Sequence, residues 1–593
     1  MSRHLPVSVS KLTHPLSFLT LPEALAAAPP TQPFVTMWNN EENIQTLTFR
    51  EFLREANLQA AKFRAHHVRP GDTVILIMRQ GIPLMTAFVG AMVLGAVPTI
   101  LAYPNVKVEP AKYRFGLSGV SQNLSARLVI LDEDFPEELR GCVSVDGYAQ
   151  LVRCTKSPLR TSETELSLIP RRPESLAFIQ HSAGTTGLQK GVALSHAAVL
   201  RQLGHLAAAL RINSGDCIYS WLPLYHDMGL VACFMLPLAC HLPVVMQSPT
   251  DWVMRPGTML KLISDYRCTL AWVPNFTLQF LARRVPPDSR AAYDLSSLRA
   301  LINCSEPVRA KSMDEFLGAY ASCGMRANVL QSSYAMAETV FAVTQSGIGG
   351  QPGPRRLWIS RERFRNKHIA RPVEEGAENT MCFVSSGQCL PGSEVRIVSS
   401  TGQVLPEGRV GEILVRSDSL FDGYYNRSDL TAKALRDGWY WSGDLGFRLE
   451  KELYVVGRKK DLIIVAGENI YPQDVEDIVC SHPAIQDGRA VAFGLYNPDL
   501  GTEEIVVVAE VQKSEHLNDS LIIERAIRQA ILAELGVAVR AIYLKPPRWI
   551  VKSTAGKPAR STTRDKFLAE HPEVSENTLR GEHSNDRTGT ADD

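Results

Sequence analysis

Between residues 80 and 105 the chain carries no charged side chain, and residues 82–103 are mostly apolar. Such a run must leave water, either into a bilayer or into a large core. Its length suits a membrane span, but Gly90, Gly95 and Pro98 punctuate it. It divides into a buried helix over 83–94, a helix end at Gly95 and a buried strand over 97–101. A second run, 229–246, divides the same way around Pro237 and Pro243. We therefore expect core elements and no integral membrane span. The chain can supply that core: its 593 residues exceed the roughly 250–300 that one hydrophobic core serves. At roughly 150 residues per unit, about four compact units are expected.

Lys plus Arg number 63 and Asp plus Glu 62, giving a net charge of +1. That balance offers no bulk attraction for nucleic acid or an anionic membrane. The 11 cysteines include no Cys-x-x-Cys pair, so they read as reduced, mostly buried thiols in a cytoplasmic protein. Pro6, Pro15 and Pro22 interrupt any secretory leader.

Residues 46–300 repeat short β-rich runs followed by helical ones. Strands are expected at 73–78, 126–132, 175–180 and 218–221, and this alternation predicts parallel α/β layers. After about residue 379, short strands at 395–398, 411–415 and 453–456 cluster between turns, as in a β-rich subdomain. The charged junction Gly457-Arg458-Lys459-Lys460-Asp461 separates two apolar strands and reads as a hinge. Beyond it, 462–570 fits a small α+β domain, and the polar segment 571–593 fits a disordered tail.

The strongest local signal runs from Gln180 to Gly191: a buried strand enters a loop holding Ser182, Gly184, Thr185, Thr186, Gly187 and Lys190. Glycine permits close backbone approach, hydroxyls and amides ring an oxyanion, and lysine adds charge, a combination suited to polyphosphate. It is not a Walker A loop, because Lys190 is followed by Gly191 rather than Ser or Thr.

With this loop, several ordered segments make residues 46–566 resemble the adenylate-forming superfamily. That group includes acyl-CoA synthetases, nonribosomal-peptide adenylation domains, luciferases and fatty acyl-AMP ligases. Trp221-Leu-Pro-Leu-Tyr225-His226-Asp-Met-Gly229 resembles the segment whose histidine borders the carboxylate pocket. Leu301-Ile-Asn303-Cys-Ser305-Glu306-Pro307 resembles the loop lining adenine. Ser333-Tyr334-Ala335-Met-Ala-Glu338 is similar to Tyr-Gly-x-x-Glu, with Ala335 for the glycine. The resemblance implies stacking by Tyr334 and Mg²⁺ binding by Glu338. Trp441-Ser442-Gly443-Asp444 implies a ribose-binding aspartate, Arg458 a second ribose or phosphate contact, and Lys460-Asp461 the pivot. Val551-Lys552-Ser553-Thr554-Ala555-Gly556-Lys557-Pro-Ala-Arg560 resembles the adenylation-lysine motif, with Val551 and Ala555 as departures. Lys557 would then offset charge where carboxylate and α-phosphate meet.

The family resemblance implies a large N-terminal AMP-binding domain, 1–457, of two α/β subdomains plus a β-rich subdomain. It also implies a hinge at 458–461 and a mobile α+β C-terminal domain. ATP and Mg²⁺ are the implied cofactors. Within the family, Trp272-Val-Pro274-Asn275-Phe276 and Tyr471-Pro472-Gln473-Asp474-Val475-Glu476 are similar to fatty acyl-AMP ligases. So is the spacing of about 45 residues from Glu338 to Val384-Ser-Ser-Gly387, which implies an insertion within 347–378. These ligases pass a fatty acyl group to an acyl carrier protein. Gly467-Glu468-Asn469-Ile470 instead resembles acyl-CoA synthetases, which use free CoA, and that alternative stays open. A non-catalytic acyl- or nucleotide-binding paralogue is a remoter one, opposed by the joint presence of Lys190, Glu338, Asp444, Arg458 and Lys557.

Overall fold

A computed structural model describes residues 16–104, 110–143, 150–153, 172–181, 190–326, 328–347, 352–465, 468–497, 500–552, 558–572 and 574. The uncharged run forms helix Ile82–Leu94 and strand Val97–Ile100, separated by Gly95 in the left-handed region at φ 81°. A helix apolar on every side is stable only when surrounded. Here Gly90 faces helix Phe49–Ala65 so closely that a Cβ would sit 2.6 Å from the Ala56 carbonyl oxygen. Among the described residues no helix is long and apolar enough to cross a membrane.

Four strands, Val97–Ile100, Thr73–Ile77, Leu128–Leu131 and Gln150–Arg153, form one wholly parallel sheet in that order. A second, nine-stranded sheet is parallel at its centre and antiparallel at both margins. Its adjacent central strands Ile218–Ser220, Leu270–Val273, Ala300–Asn303 and Leu330–Ala335 all run the same way. Segments leaving their carboxyl ends therefore emerge side by side, where open α/β sheets bind ligands.

The alternation fails at one place. Strand Leu176–His181 does not lead through the glycine loop into a helix. It pairs antiparallel with Gly191–Ser195, which also pairs with the short strand Gly423–Tyr424. Gly191 suits this return: a Cβ there would lie 2.9 Å from the Ile179 side chain.

The β-rich part is antiparallel: Ser393–Val398, Gly411–Ser417, Trp439–Leu449 and Glu452–Arg458 pair in succession. A single 3-10 turn, Lys459–Asp461, leads on to strand Ile463–Val465. Beyond it, strands Ile485–Asn497, Thr502–Val511 and Val539–Lys545 form a sheet. Helices Pro472–Ser481 and Ser520–Leu535 pack with it, through Val479, Val507 and Ile527 in a core separate from the large domain's. Packing continues past residue 570: His571 stacks on Phe567 at 4.6 Å and Val574 is buried.

Candidate active site

Tyr334 ends a central strand, and Glu338 occupies the 3-10 turn Ala337–Thr339 just beyond. Val340 closes that turn at φ 65°, ψ −51°, its N–H donating to the Ala337 carbonyl. A β-branched residue in this region costs on the order of 1–3 kcal/mol, so surrounding packing must over-determine the turn. The Phe421 N–H contributes by donating to the Glu338 carbonyl at 2.9 Å.

The Glu338 side chain is buried, and the Tyr424 hydroxyl donates to its Oε1 at 2.7 Å. The Lys190 ammonium lies over the Tyr424 ring, 4.6 Å from its centre. Sheet pairing creates this trio, because Tyr424 is opposite Val192, two residues after Lys190. Burial, with the Glu338 charge beside it, pushes the Tyr424 hydroxyl far above the ordinary range and keeps it a donor.

A second cluster centres on Asp444. The Tyr334 hydroxyl donates to Oδ2 at 2.7 Å, and Arg458 Nε lies 3.3 Å from Oδ1. Strand register sets the latter pair, since Asp444 is directly opposite Arg458. Locally, Ser442 Oγ accepts from the Asp444 N–H at 3.0 Å. Burial raises the Asp444 carboxyl, opposed by the Arg458 charge and the Tyr334 hydrogen bond. Both oxygens already have protein partners, yet each retains acceptor capacity for a ligand hydroxyl. The same strand carries Tyr440, whose hydroxyl is 3.4 Å from that of Tyr424, so one strand connects the two clusters.

Lys460, in the junction turn, is close enough to feel the charges of Arg458 and Lys190 and, in the opposite sense, those of Asp461 and Asp444. Burial and the like charges lower its ammonium pKa.

His226 Nδ1 lies 2.6 Å from Asp227 Oδ1. Its segment is tied to the strand before the glycine loop, because Gln180 Nε2 donates to the Tyr225 carbonyl at 2.7 Å. Gly229 is required at the following bend, where a Cβ would meet the Pro223 oxygen at 2.3 Å. Ser305 adopts φ 69° on the neighbouring loop, and its Oγ lies 3.8 Å from Met228 Sδ. Glu306 is engaged structurally: its Oε2 accepts from the Phe276 N–H at 3.0 Å. Next to it, Trp221 stacks on Trp252 at 3.8 Å, with Phe276 about 6.1 Å from Trp221, an apolar wall beside the His226 segment.

The fold thus brings together Lys190, Glu338, Tyr334, Asp444, Arg458 and Lys460. Ala335 is half-buried at the end of the Tyr334 strand. Ser182, Gly184, Thr185, Thr186, Gly187 and Lys557 lie outside the described residues, although Lys552 bridges Pro558 across the segment that contains Lys557. Two further residues emerge only in three dimensions. Tyr424 has no local signal, since sheet pairing alone recruits it. His181, at the mouth of the glycine loop, is buried with Nδ1 2.9 Å from Thr99 Oγ1, and burial lowers its pKa to about 4. A histidine after a buried strand was visible, but its threonine partner was not.

Among the described residues no cluster of three or more His, Cys, Asp or Glu could enclose a metal. A single buried carboxylate still fits Mg²⁺ that takes its other ligands from phosphate and water.

Tyr334 and Glu338 at the carboxyl end of the parallel strands, joined to Asp444 and Arg458 of the antiparallel sheet, suit an adenylate-forming ligase. The profile of the AMP-binding enzyme family matches residues 23–425, and the chain belongs to that family. The medium-chain-fatty-acid–[acyl-carrier-protein] ligase JamA of Moorena producens is 30% identical, over 89% of this chain and 91% of its own. The long-chain-fatty-acid–AMP ligase FadD32 of Mycolicibacterium smegmatis is 26% identical, over 88% and 89% respectively. A solved structure from a study of fatty acyl-adenylate ligases of E. coli and L. pneumophila superimposes with a TM-score of 0.86 at 27% identity. It covers 96% of this chain and 100% of its own.

Proposed function

We propose that this ligase activates a fatty acid with ATP, releasing pyrophosphate, and then passes the acyl group to the phosphopantetheine thiol of an acyl carrier protein. End-to-end likeness to JamA is the observation that carries the choice of substrate and acceptor. The paired clusters around Glu338 and Asp444 support the chemistry.

In this reading the fatty carboxylate attacks the α-phosphorus in line, and a mixed anhydride forms as the phosphorus–pyrophosphate bond breaks. The residues contribute positioning and charge stabilisation. Asp444 accepts from ribose hydroxyls, while Arg458 and Lys190 face the phosphates. The loop 182–191 supplies hydroxyl and amide donors. Ser305 and Tyr334 border the adenine, and His226 borders the carboxylate. Glu338 would hold Mg²⁺, which when bound neutralises phosphate charge. Lys557 bridges carboxylate and α-phosphate, then leaves as the small domain turns about Lys460-Asp461, admitting the thiol.

The direct test is ATP–pyrophosphate exchange. Exchange should require a fatty acid; exchange without one, or driven only by amino acids, overturns the reading.

A further inference from the structure

Arg560 stands at the first position of helix Arg560–Glu570, three residues after Lys557. Its guanidinium is spent entirely on two carboxylates. Nη2 donates to both Glu476 oxygens at 2.8 Å and Nε to Glu476 Oε1 at 3.0 Å, while Nη1 donates to Asp461 Oδ2 at 2.6 Å. All three side chains are largely buried, at 18%, 16% and 21% exposure for Arg560, Glu476 and Asp461.

The two arms differ in what they join. Glu476 lies on helix Pro472–Ser481 and also accepts from the Ala492 N–H at 3.0 Å, so its arm stays inside the small domain. Asp461 belongs to the junction turn Lys459–Asp461, so its arm crosses to the pivot. On the other side, the Ala559 N–H donates to the Val551 carbonyl at 2.8 Å and Lys552 bridges Pro558, closing the base of the Lys557 segment. One planar, forked cation therefore connects the pivot with the base of the lysine segment. A lysine, with a single point charge, cannot hold both carboxylates in this geometry.

We propose that Arg560 is a positioning residue that fixes the Lys557 segment relative to the Lys460-Asp461 pivot, so that the setting of the pivot decides where Lys557 stands. This rests on the roles given above to Lys557 and the pivot. The Asp461 arm is the one that must yield when the small domain turns, while the Glu476 arm keeps the start of helix Arg560–Glu570 fastened to helix Pro472–Ser481.

The test separates the two half-reactions in the full-length enzyme. Arg560→Gln and Asp461→Asn should each slow fatty-acid-dependent adenylation about tenfold, the scale of a lost charge-assisted hydrogen bond. Acyl transfer from supplied acyl-adenylate should change less than twofold in Arg560→Gln. The double variant should be no slower than the slower single, because both remove one link. Arg560→Lys should restore less than half of the lost adenylation rate. Asp461→Asn leaves the Glu476 arm in place and serves if Arg560→Gln does not fold. Equal loss in both half-reactions, no loss in either, or multiplied effects in the double variant overturn the proposal. If the wild-type enzyme itself shows no fatty-acid-dependent exchange, it is the assigned reaction that fails, not the link.

Discussion

The nucleotide side of the site and the lysine side are built by different physics. Around Asp444 and Glu338 the two carboxylates and their tyrosine partners are largely buried, and strand register sets the pairings: Asp444 opposite Arg458, and Tyr424 opposite Val192. Around the Lys557 segment the fastening is a three-membered ion cluster at a single turn between domains. Further contacts to the small domain are two ion pairs, Arg283 to Asp487 and Arg309 to Asp477, each at 2.7 Å, and a hydrogen bond from Arg361 to the Glu534 carbonyl at 2.9 Å. Here arginines of the large domain meet acidic or carbonyl groups of the small one. Register cannot be changed without unfolding a sheet, whereas the half-exposed Arg283 and Arg309 pairs exchange readily with water and salt, and the largely buried Arg560 cluster hangs on one arm to the turn. In the proposed reaction one half of the site is therefore held ready and the other is delivered.

The sharpest way to break this contrast is Lys557→Ala. Loss of a cation aimed at developing charge should slow adenylation on the order of 10³-fold, while acyl transfer from supplied acyl-adenylate persists. Rapid-quench measurement of each half-reaction checks it, and a parallel loss of both would erase the distinction between the two sides. Asp444→Asn probes the fixed side. Removing the charge of an acceptor for ribose hydroxyls should lower kcat/KM for ATP by roughly 10–100-fold, read from initial rates at varied ATP, with the fatty acid KM little changed.

The smallest effect concerns the scaffold. His181 has a folded pKa of about 4 against an ordinary 6.5. Its folded value is depressed, so the folded state binds fewer protons than the unfolded one. Its contribution is fully present above pH 6.5 and is lost as pH falls toward 4. By linkage the loss reaches about 2 kcal/mol at pH 5. Chemical denaturation at pH 7 and pH 5 should show this loss in the wild type and not in His181→Asn. An identical pH dependence in both would mean that this buried imidazole does not set the stability of the loop's base.

The same contrast explains what could be read from the chain alone. The uncharged run became helix Ile82–Leu94, Gly95 and strand Val97–Ile100, because burial and a left-handed helix end are local properties. The order of motifs singled out Tyr334, Glu338, Asp444 and Arg458 by family resemblance, and strands Leu330–Ala335, Trp439–Leu449 and Glu452–Arg458, of which only the last showed a local pattern, bring them together. The hairpin at the glycine loop, the recruitment of Tyr424 and the Thr99 partner of His181 depend on which distant strands become neighbours. Nothing in local composition specifies that. Glu306 adds a contact that local sequence could not show: its carboxylate accepts the Phe276 N–H in the first turn of helix Asn275–Arg284.

The acceptor is where the account is most directly exposed. Purified enzyme, ATP, Mg²⁺ and a panel of fatty acids should yield the acylated carrier protein when a holo acyl carrier protein is supplied. With CoA, only acyl-adenylate should accumulate. Efficient acyl-CoA formation would contradict the account and make the enzyme an acyl-CoA synthetase.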